Sequence, residues 1–431
     1  MNQAVPPHSD FRSENFLREH VRRTMAFYHP RCIDPAGGFF HYFKDDGTVY
    51  DASHRHLVSS ARFVFNYATA ANEFGGEDPA LRDEYLKAAR HGLAYLRDRH
   101  RDPRSGGYFW TLRDGRPEDT TQHCYGAAFV LLAYSIAVKA GIDEAQPWMD
   151  ETWDLLQQHY WEEGPGLYRD EADRDWNFTG YRGQNANMHM CEAMLAAYEA
   201  SGERRYLDRA LLLADHMTRR QAAQAGGLVW EHYDRDWKVD TDYHRDDPRH
   251  LFRPWGFQPG HQTEWAKLLL ILNGHVLDGH LRTLGESADW LLPKARELFD
   301  RAVAAAWDDE FGGLVYGFAP EKLRKDVPGR SLPDGENFVC DEDKYFWVQA
   351  ESIATAARLA ATTGEDAYWR WYDRLWDYAW RNMIDHRYGA WYRILDRENR
   401  KYDDEKSPAG KTDYHTMGAC HDVLAVLRQG H

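Results

Sequence analysis

Long apolar runs are missing from these 431 residues. No stretch approaches the ~18 consecutive apolar residues of a membrane-crossing helix, so a membrane protein is not expected. The opening segment MNQAVPPHSDFRSENF lacks the apolar centre of a signal peptide, which leaves a soluble, cytoplasmic protein as the expectation. Cysteine is scarce. Cys32, Cys124, Cys191, Cys340 and Cys420 are odd in number, widely scattered, and never form a C-x-x-C pair, a pattern that fits reduced thiols. Positive charge is in deficit, with 53 Lys and Arg against 69 Asp and Glu and a formal charge of -16. No nucleic-acid partner is expected, because phosphate binding needs clustered Lys and Arg to displace counterions.

Several chemical motifs are absent as well. There is no H-E-x-x-H, no P-loop, no G-x-G-x-x-G after a strand, and no G-x-S-x-G elbow. His54-Arg55-His56 would point both imidazoles the same way only on a strand, so neither a metal nor an organic cofactor is expected. Pro-rich or Ser-rich linkers and low-complexity tracts are also lacking, which argues for a single catalytic domain over 1–431.

What the sequence does have is aromatics and a repeat. It carries 17 Trp, 25 Tyr and 19 Phe, suited to core packing between helices or to stacking on sugar rings. A glycine followed by apolar or aromatic residues recurs at Gly38, Gly107, Gly166, Gly227, Gly313 and Gly389, in steps of 69, 59, 61, 86 and 76 residues. Each signal reads as a turn opening a short strand, with helical periodicity on both sides. The expected helices are 14–27, 56–74, 80–99, 125–139, 146–160, 188–200, 206–221, 262–276, 288–307, 346–362, 367–383 and 414–428. The second helix of each pair is the less charged, as in the uncharged run from Gly126 to Leu132. Helices apolar all round are buried ones. The expected fold is therefore all-α: an (α/α)6 barrel, a toroid of six helical hairpins with short β-hairpins or loops at one mouth. The longest non-helical stretch, 228–260, is expected to be a functional loop.

The polar residues hardest to explain as core sit where the second helices begin. Asn185 and His189 share a helix face at i, i+4, His261 and Glu264 stand at i, i+3, Trp347 and Glu351 at i, i+4, and the last helix opens Lys411-Thr412-Asp413-Tyr414-His415. In a closed ring these starts converge. Three His, two Glu and an Asn would be expensive to desolvate as architecture alone, which points to a site. Imidazole exchanges protons near neutral pH and suits abstraction next to a carbonyl, the chemistry of aldose and ketose interconversion. A carboxylate such as Glu264 or Glu351 would orient an imidazolium, and Arg62 would neutralise an enediolate oxygen.

HLVSSARFVFNYA (56–68), YRGQNANMH (181–189), EHYD (231–234), PGHQTEW (259–265), WVQAE (347–351) and TDYH (412–415) together resemble the N-acylglucosamine 2-epimerase superfamily, especially its mannose isomerase and sulfoquinovose isomerase branch. The resemblance spans nearly the whole chain. It implies an (α/α)6 barrel without metal or organic cofactor, a small monosaccharide as substrate, and a monomer or homodimer. By motif position it implies His261 and His415 as the acid/base pair, with Glu264 and Glu351 as their charged neighbours. Arg62, Tyr125, Asn185 and His189 match sugar ligands, and Trp391 a ring-stacking residue. The mechanism implied is ring opening, loss of the C2 proton to a cis-enediolate, and reprotonation. Return to C1 by the same base, assigned to His415, makes a ketose; delivery to the other face of C2 by His261 makes the epimer.

The favoured reaction is D-mannose to D-fructose, with D-lyxose to D-xylulose beside it. A 2-epimerase of the mannose/glucose or cellobiose type and a sulfoquinovose isomerase remain alternatives. For a sulfonated sugar, Arg253 is the nearest cationic candidate, and an exposed loop arginine is its plainer reading. From other classes stand a glycoside hydrolase or lyase using Glu264, Glu351 or Asp343 as paired carboxylates, and a non-catalytic sugar-binding protein.

Overall fold

A computed structural model of the chain describes residues 10–277 and 288–429; the residues 1–9 that were read for a targeting segment lie outside it. Twelve α-helices form among the described residues, at the positions their periodicity predicts: α1 Glu14–Tyr28, α2 Leu57–Phe74, α3 Pro79–Tyr95, α4 Cys124–Lys139, α5 Gln146–Leu155, α6 Gln184–Ser201, α7 Arg204–Asp215, α8 Pro259–Leu277, α9 Leu291–Ala306, α10 Phe346–Thr363, α11 Asp366–Tyr378 and α12 Tyr414–Gln429. Helices α3, α5, α7 and α11 run on into one widened π-helical turn each, which accounts for their longer sequence signals. Helix α6 starts at Gln184, four residues before its expected start, because Gly183 is extended and the turn that precedes the helix ends there.

The chain divides into two compact units, 1–25 with 217–404 and 415–431, and 26–216 with 405–414. In the second unit α2 packs on α3 and α4, α4 on α6, and α6 on α7; in the first, α8 packs on α9 and α10, and α10 on α11. Ala350, Ala354 and Ala419 let α10 and α12 approach closely. The uncharged run of α4 is buried from Gly126 to Ser135, whereas α3 buries one stripe through Tyr85, Leu86, Ala89 and Leu93. Small, uncharged side chains thus carry the helices that are covered on nearly every side, as the sequence predicts.

The glycine signals are turns, but mostly not strands. Ile33 and Phe39, Arg101 and Tyr108, Trp307 and Leu314, and Ile384 and Trp391 each form a single antiparallel bridge. Of the six signals only the third runs into a strand, Leu167–Tyr168. The turns are held by the helices instead. Asn187 on α6 clamps both backbone groups of Tyr168, Gln262 on α8 those of Val229, and Gln349 on α10 those of Leu314. Two hydrogen bonds per amide fix each turn against a helix start, and that positions the residues around it.

The long connection before α8 is ordered by its own core. Trp230 and Trp255 are fully buried, and their indole N–H groups donate to Asp240 and Thr241 carbonyls at 3.0 and 2.7 Å. Phe257 pairs with Phe318, the latter on a three-stranded antiparallel sheet of Gly317–Pro320, Asn337–Asp341 and Arg330–Ser331. Arg249 anchors the connection to Asp341 and Asp343.

Candidate active site

In the first unit two histidines stand beside one tryptophan. His261 lies in the first turn of α8 and His415 in the first turn of α12. The Trp347 ring, near the start of α10, is 4.8 Å from the imidazole of His261 and 5.8 Å from that of His415, centroid to centroid. Both imidazoles are buried, and each engages a carboxylate through Nδ1. His415 Nδ1 is 2.6 Å from Glu351 Oε1, and His261 Nδ1 is 3.0 Å from both oxygens of Glu231. Such a contact fixes the ring and makes Nδ1 the protonated nitrogen, which leaves Nε2 as the atom for proton exchange.

Glu264 is on the same helix as His261, yet the carboxylate of His261 is Glu231, which arrives from the long connection. Glu264 instead groups with Glu351 and His415, their ligand atoms within 4.8 Å of one another. That spacing resembles a metal site, but the donors do not fit one. Glu351 gives Oε1 to His415 and takes a hydrogen bond on Oε2 from the Lys267 ammonium at 2.6 Å. A cation already sits against the carboxylate a divalent ion would need.

Trp391 is not brought to this group. It is 1% exposed, its indole N–H donates to His20 Nε2 at 2.7 Å, and Trp376 packs on it at 5.9 Å. These neighbours cover the ring, whereas stacking with a sugar needs an open face. Asp343 likewise holds Arg249 and the Tyr402 hydroxyl, which donates to it at 2.6 Å. Arg253, half-buried, donates to the Tyr243 hydroxyl at 3.0 Å. His54–His56 is indeed a strand, but His54 stacks on Tyr42 and lies 3.0 Å from Glu118, while His56 caps α2 by accepting from Val58 N–H.

The second unit gathers Arg62, Tyr125 and His189. The Arg62 guanidinium donates to the Gly410 carbonyl and, at 3.1 Å, to the Tyr125 hydroxyl, and it lies over the rings of Phe129 and Tyr414 at 4.3 and 4.8 Å. Stacking and two directed hydrogen bonds suit the planar guanidinium. His189 meets Tyr125 edge-on at 5.2 Å and gives Nδ1 to Glu192 at 2.9 Å; Glu192 also accepts from the Tyr414 hydroxyl. Asn185, one turn before His189, has a buried Oδ1 without a hydrogen-bond partner. An unsatisfied buried acceptor costs free energy unless a ligand donor meets it.

Glu231, Glu192, Tyr414 and Lys267 were not singled out from the sequence. Glu231 opens the EHYD motif and Tyr414 lies in TDYH, so motif membership was the available signal; for Glu192 it was the i, i+3 spacing to His189. Lys267 had one signal, a lone charge ahead of the apolar run Leu268 to Leu272.

Residues 38–419 match the family model for N-acylglucosamine 2-epimerase. The chain is 54% identical over 419 residues to D-mannose isomerase of Marinomonas mediterranea, covering 97% of this chain and 98% of that one. A crystal structure of a D-mannose isomerase superposes with a TM-score of 0.87 at 53% identity, over 97% of this chain and 99% of the other. Cellobiose 2-epimerase of Ruminococcus albus is 23% identical over 96% of this chain and 98% of its own length. A structural match of this extent assigns the fold class: all-α, of the (α/α)6-barrel type that the six repeats predict.

Proposed function

Because the chain belongs to the N-acylglucosamine 2-epimerase family, we propose that it is a sugar isomerase that interconverts D-mannose and D-fructose. The observation that carries the mechanism is the pair of buried imidazoles beside Trp347, each with Nδ1 on a carboxylate. After ring opening, Nε2 of His415 takes the C2 proton of the open-chain aldose, and the electron pair moves toward O1 to leave a cis-enediolate. The same nitrogen, its proton exchanged with solvent, then delivers a proton to C1 while the O2 hydroxyl gives up its proton and O1 takes one, which gives the 2-ketose. His261, buried with Nδ1 on Glu231, is assigned to ring opening.

In the second unit Arg62 is assigned to the oxygens that become charged in the enediolate, with Tyr125, Asn185 and His189 on the sugar hydroxyls. Glu264 is assigned to a hydroxyl near the base. The chemistry needs no metal, because imidazolium and guanidinium groups supply the positive charge and Lys267 already neutralises Glu351. Five buried cysteines without disulfides support a cytoplasmic protein, and among the described residues no helix is long and apolar enough to cross a membrane. The chain acts as one catalytic domain, as a monomer or homodimer.

The test is proton NMR of D-mannose with chelator-treated protein in D2O. Fructose carrying deuterium at C1 is the expected product. Glucose without fructose would replace this reading by the 2-epimerase, which the more distant cellobiose 2-epimerase relative keeps as the second reading. Absence of both product and deuterium exchange would remove both readings.

A further inference from the structure

Lys267 is a nearly buried cation on α8 that the mechanism above gives no part in the proton transfer. Its Nζ donates to Glu351 Oε2 at 2.6 Å, and Glu351 Oε1 lies 2.6 Å from His415 Nδ1. Lysine, glutamate and histidine come from α8, α10 and α12, so one line of charge links three helices. A space-filling role would be met at lower cost by an apolar side chain, since desolvating an ammonium offsets much of what a buried ion pair gains.

The other charged groups around this line in the same unit are chiefly negative. Glu264 on α8 has a carboxylate oxygen within 4.8 Å of both Glu351 and His415. Asp422 on α12 is 3.7 Å from the Lys267 ammonium and pairs with Arg358 on α10. Glu231 faces the second imidazole, His261. With Lys267 removed, the carboxylates beside His415 would favour its imidazolium, and a protonated imidazole cannot take a proton from carbon.

We propose that Lys267 is a positioning residue for the proton transfer: its ammonium keeps Glu351 ionised and aimed at Nδ1–H of His415, and by offsetting that negative charge keeps the imidazole neutral and able to act as base. The proposal rests on the isomerase reading given above.

The experiment titrates His415 by NMR in histidine-labelled, substrate-free protein, the signal assigned by its loss in His415→Ala, and follows kcat/KM against pH in parallel. Lys267→Gln, which keeps a donor for Glu351 without the charge, is expected to raise the His415 midpoint by about one pH unit. The acid limb of kcat/KM should move with it while KM for mannose stays within about twofold. Lys267→Arg, which restores the charge, should return the midpoint to the wild-type value. Asp422→Asn removes a negative charge from the other side of the ammonium and should move the midpoint down by a smaller amount. A midpoint unmoved in Lys267→Gln, with kcat and thermal stability falling together, would make Lys267 merely structural and overturn the proposal. Should Lys267→Gln fail to fold, a midpoint that rises or stays fixed in Asp422→Asn overturns it. Because the titration is read without substrate, a wild type inactive on mannose sinks the isomerase reading separately from the assignment of Lys267.

Discussion

His261 and Trp347 pack ring against ring, 4.8 Å apart and inclined by 34°, and they do so because residue 260 has no side chain. A Cβ at that position would lie 2.8 Å from Trp347 Cη2 and 2.9 Å from Val348 Cγ2. An indole packed on two histidines has no flexible end to move aside. Gly260→Ala is therefore expected to cost about 1–3 kcal/mol of stability through overpacking. It should also lower kcat about tenfold by turning Trp347 away from His261. Thermal unfolding and turnover of mannose check both, and a fully active variant with unchanged Tm would show the contact to be slack.

Glu231 is the carboxylate of His261, and the expected effect of its loss is on rate rather than on folding. Glu231→Gln keeps the volume but replaces two acceptor oxygens at 3.0 Å by an amide that can present its N–H groups to Nδ1. The imidazole is then free to take the wrong tautomer, so kcat should fall about 10² to 10⁴-fold, the span that positioned acid/base groups supply. Circular dichroism should remain that of the wild type.

The contrast between Glu264 and Glu231 shows where sequence reasoning stopped. Helical periodicity placed all twelve helices, because burial on one face or on all faces writes itself into the spacing of apolar residues. It also placed His261, Glu351 and His415 in the first or second turns of their helices. What it does not encode is which carboxylate an imidazole meets. Glu264 shares a helix with His261 yet groups with Glu351 and His415; Glu231, thirty residues before His261, reaches Nδ1 through a connection whose course is set by Trp230, Trp255 and Phe257. The same limit applies to Trp391. Its turn was recognised, but its burial against His20 and Trp376 depends on packing with α1 and α11, which no local pattern reports.

Four histidines buried without charge make stability fall in acid. Burial holds His100 and His232 down to about 4, and His41 and His56 well below the ordinary value of 6.5. In the unfolded chain these rings bind protons near pH 6.5, so between 6.5 and 4 the unfolded state binds more protons than the folded one. Their contribution is complete above pH 6.5 and is lost as pH falls towards 4. Asp341 works in the opposite sense. Burial beside Asp343 pushes it up to about 7, so its neutral form stabilises the fold below that pH and the benefit fades above it. Four groups outweigh one, and Tm should drop by at least about 5 °C from pH 6.5 to pH 4.5. A flat Tm over that window would mean that the buried imidazoles are already charged.

Trp391 separates a packing role from a stacking one. Trp391→Ala empties a fully buried site and strips His20 of its hydrogen bond, and the expected loss is about 3–5 kcal/mol. A ring-stacking residue would behave differently, raising KM for mannose with little change in Tm. Denaturant unfolding alongside KM decides the matter, and a raised KM at constant stability would return Trp391 to the substrate.

Arg62 is where charge and shape can be told apart. Its guanidinium lies against the rings of Phe129 and Tyr414, donates with one nitrogen to the Gly410 carbonyl and with another to the Tyr125 hydroxyl, and so is held by four groups at once. Lysine would preserve the positive charge but cannot stack as a plane or present the rigid planar set of donors that these two acceptors meet. If the enediolate needs charge alone, Arg62→Lys should retain most of the activity. If it needs the charge held in place, as this anchoring implies, Arg62→Lys should lose about 10²-fold in kcat/KM or more. Arg62→Met should then be little worse than Arg62→Lys. Tyr125→Phe, which removes a single hydrogen bond from the guanidinium while leaving the edge contact with His189, should fall between wild type and Arg62→Lys. That ordering, measured as kcat/KM for mannose at constant pH, is specific to an arginine fixed by its neighbours, and an Arg62→Lys enzyme close to wild type would contradict it.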